Sequence, residues 1–193
     1  MAEPTTQFRL IPQNTAVADI DTPAERLAAI AGESAVSTGV GNEVDFDTIN
    51  ISSGAADSDV RTVLWNVTAN GGNTTVETFK LWLSSNGFDV AGSVEKVQPL
   101  SGADQGAPAN TENYIANGVV GSYTWATADE AEPGAQNVWP SDEGADMDIT
   151  GGASDDVIMW AWYLAIAAGE TTGTYKGTDA NFELQHSFKY SYS

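Results

Sequence analysis

The chain has 193 residues, of which 27 are acidic and 7 are basic, so its formal net charge is −20 at pH 7. A field of this sign repels nucleic-acid phosphates and anionic membrane surfaces, and we expect neither as a partner. The chain has no cysteine, which excludes disulfides, thiol catalysis and cysteine-ligated zinc. Its 41% hydrophobic residues suffice for one domain with a buried core. The longest apolar run, residues 157–168, is too short to span a bilayer.

The first element along the chain is predicted to be an extended arm. Phe8, Leu10 and Ile11 form an apolar patch in it, and such a segment packs either on its own domain or on the sheet edge of a neighbour. Both alternatives stay open, so these three residues are candidate interface anchors. Residues 1–4 have neither the basic nor the apolar part of a secretory signal, so we expect either a leaderless product or a mature form whose leader has been removed.

Residues 22–32 are predicted to form the one short helix. Thr22 can cap its start, Pro23 suits the first helical position, and Glu25 completes a capping box with Thr22. A short apolar stripe follows, so the helix must pack against something to be stable.

From residue 44 onward, the alternation of apolar and polar residues is typical of β-strands. Residues 60–68 and 75–83 both alternate, and the turn sequence at 70–73 lies between them, which predicts a β-hairpin. The predicted division of the chain is 1–43 for the arm with its helix and 44–193 for a β-sandwich domain.

Two further strands are predicted near the C-terminus. Residues 157–166 are apolar on both faces, and their tryptophans and isoleucines favour a central strand over a buried helix. Residues 182–192 alternate cleanly and are expected to form the last strand, with 157–166 as its neighbour in the core. A long acidic loop, residues 127–152, precedes both strands. These elements predict an all-β sandwich.

The segment 157–177 resembles the corner of immunoglobulin-like sandwich domains of bacterial and viral surface proteins. An apolar strand is followed by a glycine-containing corner and then by Gly173, Thr174 and Tyr175, at the place where those domains have Gly-x-Tyr before the last strand. The resemblance implies an immunoglobulin-like or jelly-roll-like β-sandwich, in which the Tyr175 hydroxyl bonds back to the corner backbone. It gives Gly173 and Tyr175 structural roles. The chain departs from antibody domains in having no cysteine pair.

The chain as a whole is similar in style to virion proteins of phages and other prokaryotic viruses. The shared features are the arm, the acidic cysteine-free β-domain and the turns rich in Gly, Asn and Thr. The resemblance implies a non-enzymatic structural role in the virion, as a capsid decoration or tail component, with copies of itself or a capsid or tail lattice as partners. A second hypothesis is an extracellular or cell-surface filament subunit that exchanges its arm between neighbours and is stabilised by calcium.

One acidic cluster is a candidate metal site. Asp142, Glu143, Asp146 and Asp148 lie in the long loop and offer the oxygen ligands that Ca²⁺ prefers. Their spacing does not match an EF-hand loop, and a solvated acidic loop is the commoner explanation of such a cluster. No other cofactor is expected.

No catalytic residue is predicted. His186, the single histidine, lies within the predicted last strand, where a packed or rim-exposed histidine is the ordinary explanation. The glycine motifs of hydrolases, phosphate-binding loops and dinucleotide folds are missing from the sequence. The six tryptophans leave a carbohydrate-binding module or hydrolase as a third hypothesis, although most lie in strand patterns typical of core packing. Trp139, in the acidic loop, is the exception and is the fourth candidate interface anchor.

Overall fold

The computed structural model describes residues 2–12, 23–36, 44–100, 125–135, 137, 146–149, 157–171 and 184–193. Within them the secondary-structure elements, in chain order, are β1 Thr5–Leu10, α1 Pro23–Ala29, β2 Ala35–Val36, β3 Ala56–Asp57, β4 Arg61–Thr68, β5 Thr75–Asn86, β6 Val94–Leu100, β7 Ala126–Thr127, β8 Asp146–Asp148, β9 Val157–Ile166 and β10 Leu184–Tyr192. The strand pairings are antiparallel. The predicted all-β sandwich with one short helix is confirmed. None of the helical segments in the described part is long and apolar enough to cross a membrane.

The strands form two sheets. The larger sheet has the order β2-β1-β4-β9-β6-β7, with β3 also pairing with β9, and the smaller sheet has the order β10-β5-β8. β9 bonds β4 along one edge and β6 along the other, so it is the central strand predicted for residues 157–166.

The core between the two sheets is built from aromatic and β-branched side chains. Trp65 on β4 and Phe79 on β5 meet across the layers with ring centroids 4.3 Å apart, and both are fully buried. Trp160 on β9 lies 6.0 Å from the same phenylalanine ring. Side chains of this size bury 150–250 Å² each, roughly, and supply most of the apolar stabilisation of a sandwich this size.

The opposite face of the larger sheet is covered by the helix. Ile30, at the end of α1, packs with Leu64 of β4 and Met159 of β9 in a second buried cluster, and Trp125 packs against it. This cover explains why β9 is apolar on both faces: one face points to the small sheet and the other to α1. A strand with one solvated face would alternate instead.

The predicted hairpin of residues 60–68 and 75–83 is wrong. Both strands form, but β4 lies in the larger sheet and β5 in the smaller one. Both edges of β4 are already occupied, by β1 on one side and β9 on the other, so no edge is left for β5. The turn at Gly71 and Gly72, which have φ of 66° and 88°, therefore carries the chain from one layer to the other.

The arm contributes a strand to the larger sheet. β1 pairs with β4 over its whole length, from Thr5 opposite Thr68 to Leu10 opposite Val63. Ala2 lies against Gly71, where a Cβ would come within 2.9 Å of the Ala2 nitrogen. Only a glycine permits that approach, since the site also has a positive φ. Of the two alternatives for the arm, the structure shows packing on its own domain.

Two more sequence predictions differ from the structure. Residues 44–50 form no strand, although they alternate, and Asp47 among them has a φ of 58°, outside the extended region. The segment instead bonds the guanidinium of the buried Arg61. Its Nη2 bonds the Asp47 carboxylate at 2.6 Å and its Nε donates to the Asp45 carbonyl at 2.6 Å. The segment 127–152 is not one loop, since β8 lies within it and pairs with β5 at Val76.

Candidate functional site

The single histidine joins the two sheets. His186 on β10 and Glu95 on β6 belong to different layers, and Nε2 of the histidine lies 2.7 Å from Oε2 and 2.9 Å from Oε1 of the glutamate. The Glu95 side chain is 1% exposed and the His186 side chain 24%. The imidazole ring also lies on the Trp162 ring, with centroids 4.5 Å apart.

This arrangement is suited to holding the layers together. A carboxylate only accepts hydrogen bonds, so the imidazole Nε2 carries the proton that the two Glu95 oxygens share. A Ser-His-Asp arrangement needs a hydroxyl bonded to that same imidazole. Within the part of the chain that the structure describes, no hydroxyl bonds the His186 ring.

A second cluster lies on the outer face of the small sheet. The Glu132 Oε1 accepts bonds from the Lys80 Nζ at 3.3 Å and the Lys189 Nζ at 2.9 Å. The hydrogen bond from Lys189 is the largest cause that lowers the pKa of Glu132 below its ordinary 4.5, and the bond from Lys80 follows. Because the Glu132 and Lys189 side chains are exposed, the cluster contributes little to stability.

The segment that carries Glu132 also closes one edge of β5. The Asn137 side chain accepts a bond from the Leu81 N–H at 2.9 Å and donates to the Leu81 carbonyl at 2.6 Å. The Leu83 N–H donates to the Asp129 carbonyl at 2.8 Å. With β8 paired further along, this edge of the small sheet is closed to other strands.

A buried carboxylate fixes the connection between β5 and β6. Glu170, just after β9, is 6% exposed. It accepts bonds from the N–H groups of Asp89 and Val90 at 2.7 and 3.2 Å and from the Ser93 hydroxyl at 2.5 Å. These donors satisfy the buried carboxyl oxygens, so Glu170 has a structural role. No sequence pattern distinguishes it from the other acidic residues.

Three of the four predicted interface anchors belong to the fold itself. Phe8 and Leu10 are half-buried against the core between the sheets, and Ile11 is buried beside α1. The fourth anchor, Trp139, lies outside the described residues.

The predicted calcium ligands are only partly within the described chain. Asp142 and Glu143 lie outside it, and Asp146 and Asp148 are described only in their main chain, as the ends of β8. Among the described residues, no three carboxylates or histidines come together as a metal site would require. Gly173 and Tyr175, the proposed corner residues, also lie outside the described ranges.

An aromatic seam runs along the side of the sandwich where β1 and β10 meet. We use this name for Phe8, Phe188, Tyr190 and Tyr192. The Phe188 ring lies 4.8 Å from that of Phe8 and is parallel to that of Tyr190 at 6.2 Å. Phe188 is 39% exposed, more than any other large hydrophobic side chain that the structure describes. The sequence pattern places it on the inward face of β10, but the edge position of the strand exposes it.

The described basic side chains form hydrogen bonds or ion pairs with other groups of the same chain. Every lysine and arginine whose side chain the structure describes bonds a group of this same chain: Arg9, Arg61, Lys80, Lys96 and Lys189. The chain has 27 acidic residues and only 7 basic ones, so most of its carboxylates have no basic residue of this chain to balance their charge.

No protein-family model matches the chain, and no curated protein is similar to it.

Proposed function

We propose that the chain is a non-enzymatic structural protein of a prokaryotic virus particle, a capsid decoration or tail-associated component that binds a basic surface of the protein lattice. The observation that carries the proposal is the surface charge. Twenty surplus negative charges remain after all basic residues are counted, and the described basic side chains are tied to groups of the chain itself. Such a surface selects a partner of opposite sign and repels nucleic acid.

The construction of the domain supports the same proposal. Its one histidine is held by Glu95 and Trp162, and its buried Glu170 is satisfied by loop donors, so these groups serve packing. A rigid sandwich with a strongly charged surface is suited to docking as a unit on a larger lattice.

The proposal is tested on virus particles from the source culture, banded by density and probed with an antibody to this chain. We expect the chain in the particle band and its release into the supernatant as salt is raised from about 0.05 M to about 1 M NaCl, because salt screens the pairing of opposite charges. A chain found only with free protein, at every salt concentration, would overturn the proposal.

A further inference from the structure

The small sheet has one long strand edge that no described strand covers. We infer that β10 pairs through this edge with β10 of a second copy of the chain, antiparallel, about a two-fold axis at Phe188. This inference does not depend on the proposed virion role, since it concerns how two copies meet and not what lattice they bind.

The direction of the peptide groups along β10 follows from its last residues. Ser193 and Thr75 exchange two hydrogen bonds, of 3.1 and 3.2 Å. Peptide groups of successive residues in a strand point to opposite edges, so the N–H and C=O groups of Tyr192, Tyr190 and Phe188 point away from β5. Within the described ranges of the chain, no strand pairs on that side of β10.

β10 is also regular along its whole length. The pairing with β5 has two register shifts, and in both the additional residue lies on β5: the partner changes from Ser85 to Leu83 and later from Lys80 to Glu77. The second shift lies at Thr78, which has a φ of 52°. A β-bulge bends the strand that carries the additional residue, and β10 carries neither.

An edge of this length contrasts with the other edges of the fold. β10 has nine residues, whereas the larger sheet ends in strands of two residues and the far edge of β5 is closed by β8, Asn137 and Asp129. Proteins usually shorten, charge or cover their edge strands, because an open edge pairs with other chains. Among the described strands, β10 therefore has the longest unpaired edge, and the regularity of that edge indicates a pairing surface.

The charge of β10 selects a second copy as the occupant. Residues 184–193 contain no Asp or Glu in a chain that has 27 of them. A basic lattice therefore has no carboxylate on this strand to bind, while a second copy brings a strand that is equally free of carboxylates. Two-fold contacts between identical surfaces are the commonest form of self-association.

The register about Phe188 is self-complementary. It places Phe188 opposite the same residue of the second copy, so each copy covers the exposed ring of the other. It also places Lys189 opposite Ser187 of the second copy, so the lysines do not face each other directly. The Lys189 charge is in addition bonded by Glu132 of its own chain at 2.9 Å.

The size of the contact and the net charge predict a weak dimer with an unusual salt response. One strand pair buries less than about 1,000 Å² in total, which points to a dissociation constant of roughly 0.1–1 mM. Two copies of charge −20 repel each other, and salt screens that repulsion. Dimerisation therefore strengthens with salt, whereas binding to a basic lattice weakens with salt, so failure of one proposal is distinguishable from failure of the other.

The first test is analytical ultracentrifugation of the full chain at concentrations up to about 1 mM, in about 0.05 M and about 0.5 M NaCl. We expect a monomer–dimer equilibrium that shifts toward dimer in high salt. Phe188→Asp is expected to raise the dissociation constant at least about tenfold, and Phe188→Leu much less. A wild-type chain that stays monomeric under all these conditions would overturn the inference.

The second test fixes the register and does not depend on Phe188 variants. Because the chain has no cysteine, an introduced cysteine is unique. An oxidised mixture of Ser187→Cys and Lys189→Cys chains should form the mixed disulfide faster than either chain links to itself, since only the 187–189 pair lies directly opposite. A mixture of Lys189→Cys and Ser84→Cys, whose new cysteine lies on β5, is the matched control. Equal linking in both mixtures would contradict the edge pairing.

Discussion

Lys80 and Lys189 lie directly opposite each other in the pairing of β5 with β10, and the Glu132 carboxylate bonds both. Two like charges at facing positions of a sheet destabilise it, so the glutamate compensates a repulsion that the register imposes. The same residue connects the 128–137 segment to the outer face of the small sheet.

Glu132→Gln should therefore lower stability slightly, and the loss should depend on pH. The pKa of Glu132 is lowered in the folded chain, so its contribution is present above the ordinary value of 4.5 and is lost as pH falls through the folded value. Urea unfolding of both chains at pH 7 and in acid measures the difference, which should vanish in acid. Asp59→Asn is the control, because Asp59 is exposed and forms no ion pair among the described residues. A difference equal to that of Glu132→Gln would contradict the bridge.

The pair of His186 and Glu95 should be a coupled unit. His186→Phe is expected to destabilise by about 2–4 kcal/mol, because it leaves the buried Glu95 without its hydrogen bond. Glu95→Leu should cost less, because the remaining His186 is partly exposed to water. The double variant should cost less than the sum of the two by at least about 1 kcal/mol. Chemical denaturation of the four chains measures this coupling, and strict additivity would show that the two side chains do not act together.

Asn137 should be sensitive to an isosteric change. Asn137→Asp removes the donor to the Leu81 carbonyl and places a charge beside it, so we expect a loss of about 1–2 kcal/mol. Asn50→Asp is the matched control, since among the described residues the Asn50 side chain accepts a bond from the Ser52 N–H, and an aspartate keeps that role. Thermal unfolding compares the two. Equal melting temperatures for both variants would mean that Asn137 does not hold the edge of β5.

Tyr190 should ionise only in strong alkali. Burial is the main cause that raises its pKa to about 12, and the hydrogen bond to Glu3 adds to it. A raised folded pKa gives stability that is complete below the ordinary value of 10.0 and is lost as pH rises through the folded value. Burial also raises the pKa of Tyr163, so ultraviolet titration should show late ionisation of both tyrosines, and Tyr190→Phe should remove the later part of it. A late ionisation that is unchanged in Tyr190→Phe would contradict the assignment to Tyr190.

The strands that the sequence predicted best are those in which the order of apolar and polar residues matches the burial of the side chains. β9 is apolar on both faces because α1 covers one and the small sheet the other, and β10 alternates because one face is packed. The pairing of β4 with β5 failed because a turn signal is local. It does not reveal that β1, from the start of the chain, and β9, from near its end, occupy both edges of β4.

The candidate site was harder to predict from the sequence. The sequence around an apolar arm residue such as Phe8 looks the same whether the residue packs on its own domain or on a neighbour. The pairing of β1 with β4 shows that it packs on its own domain. Glu95 is one of 27 acids, and its burial opposite His186 depends on the stacking of two sheets. The exposure of Phe188 follows from the edge position of β10, which no periodicity shows.

Cryo-electron microscopy of the source virus particles tests the central proposal most directly. The proposal predicts density for this sandwich at a fixed position on the lattice, with its acidic surface against lysines and arginines of the neighbouring protein. Particle density that other proteins account for completely, or a sandwich whose contacts avoid basic residues, would contradict it.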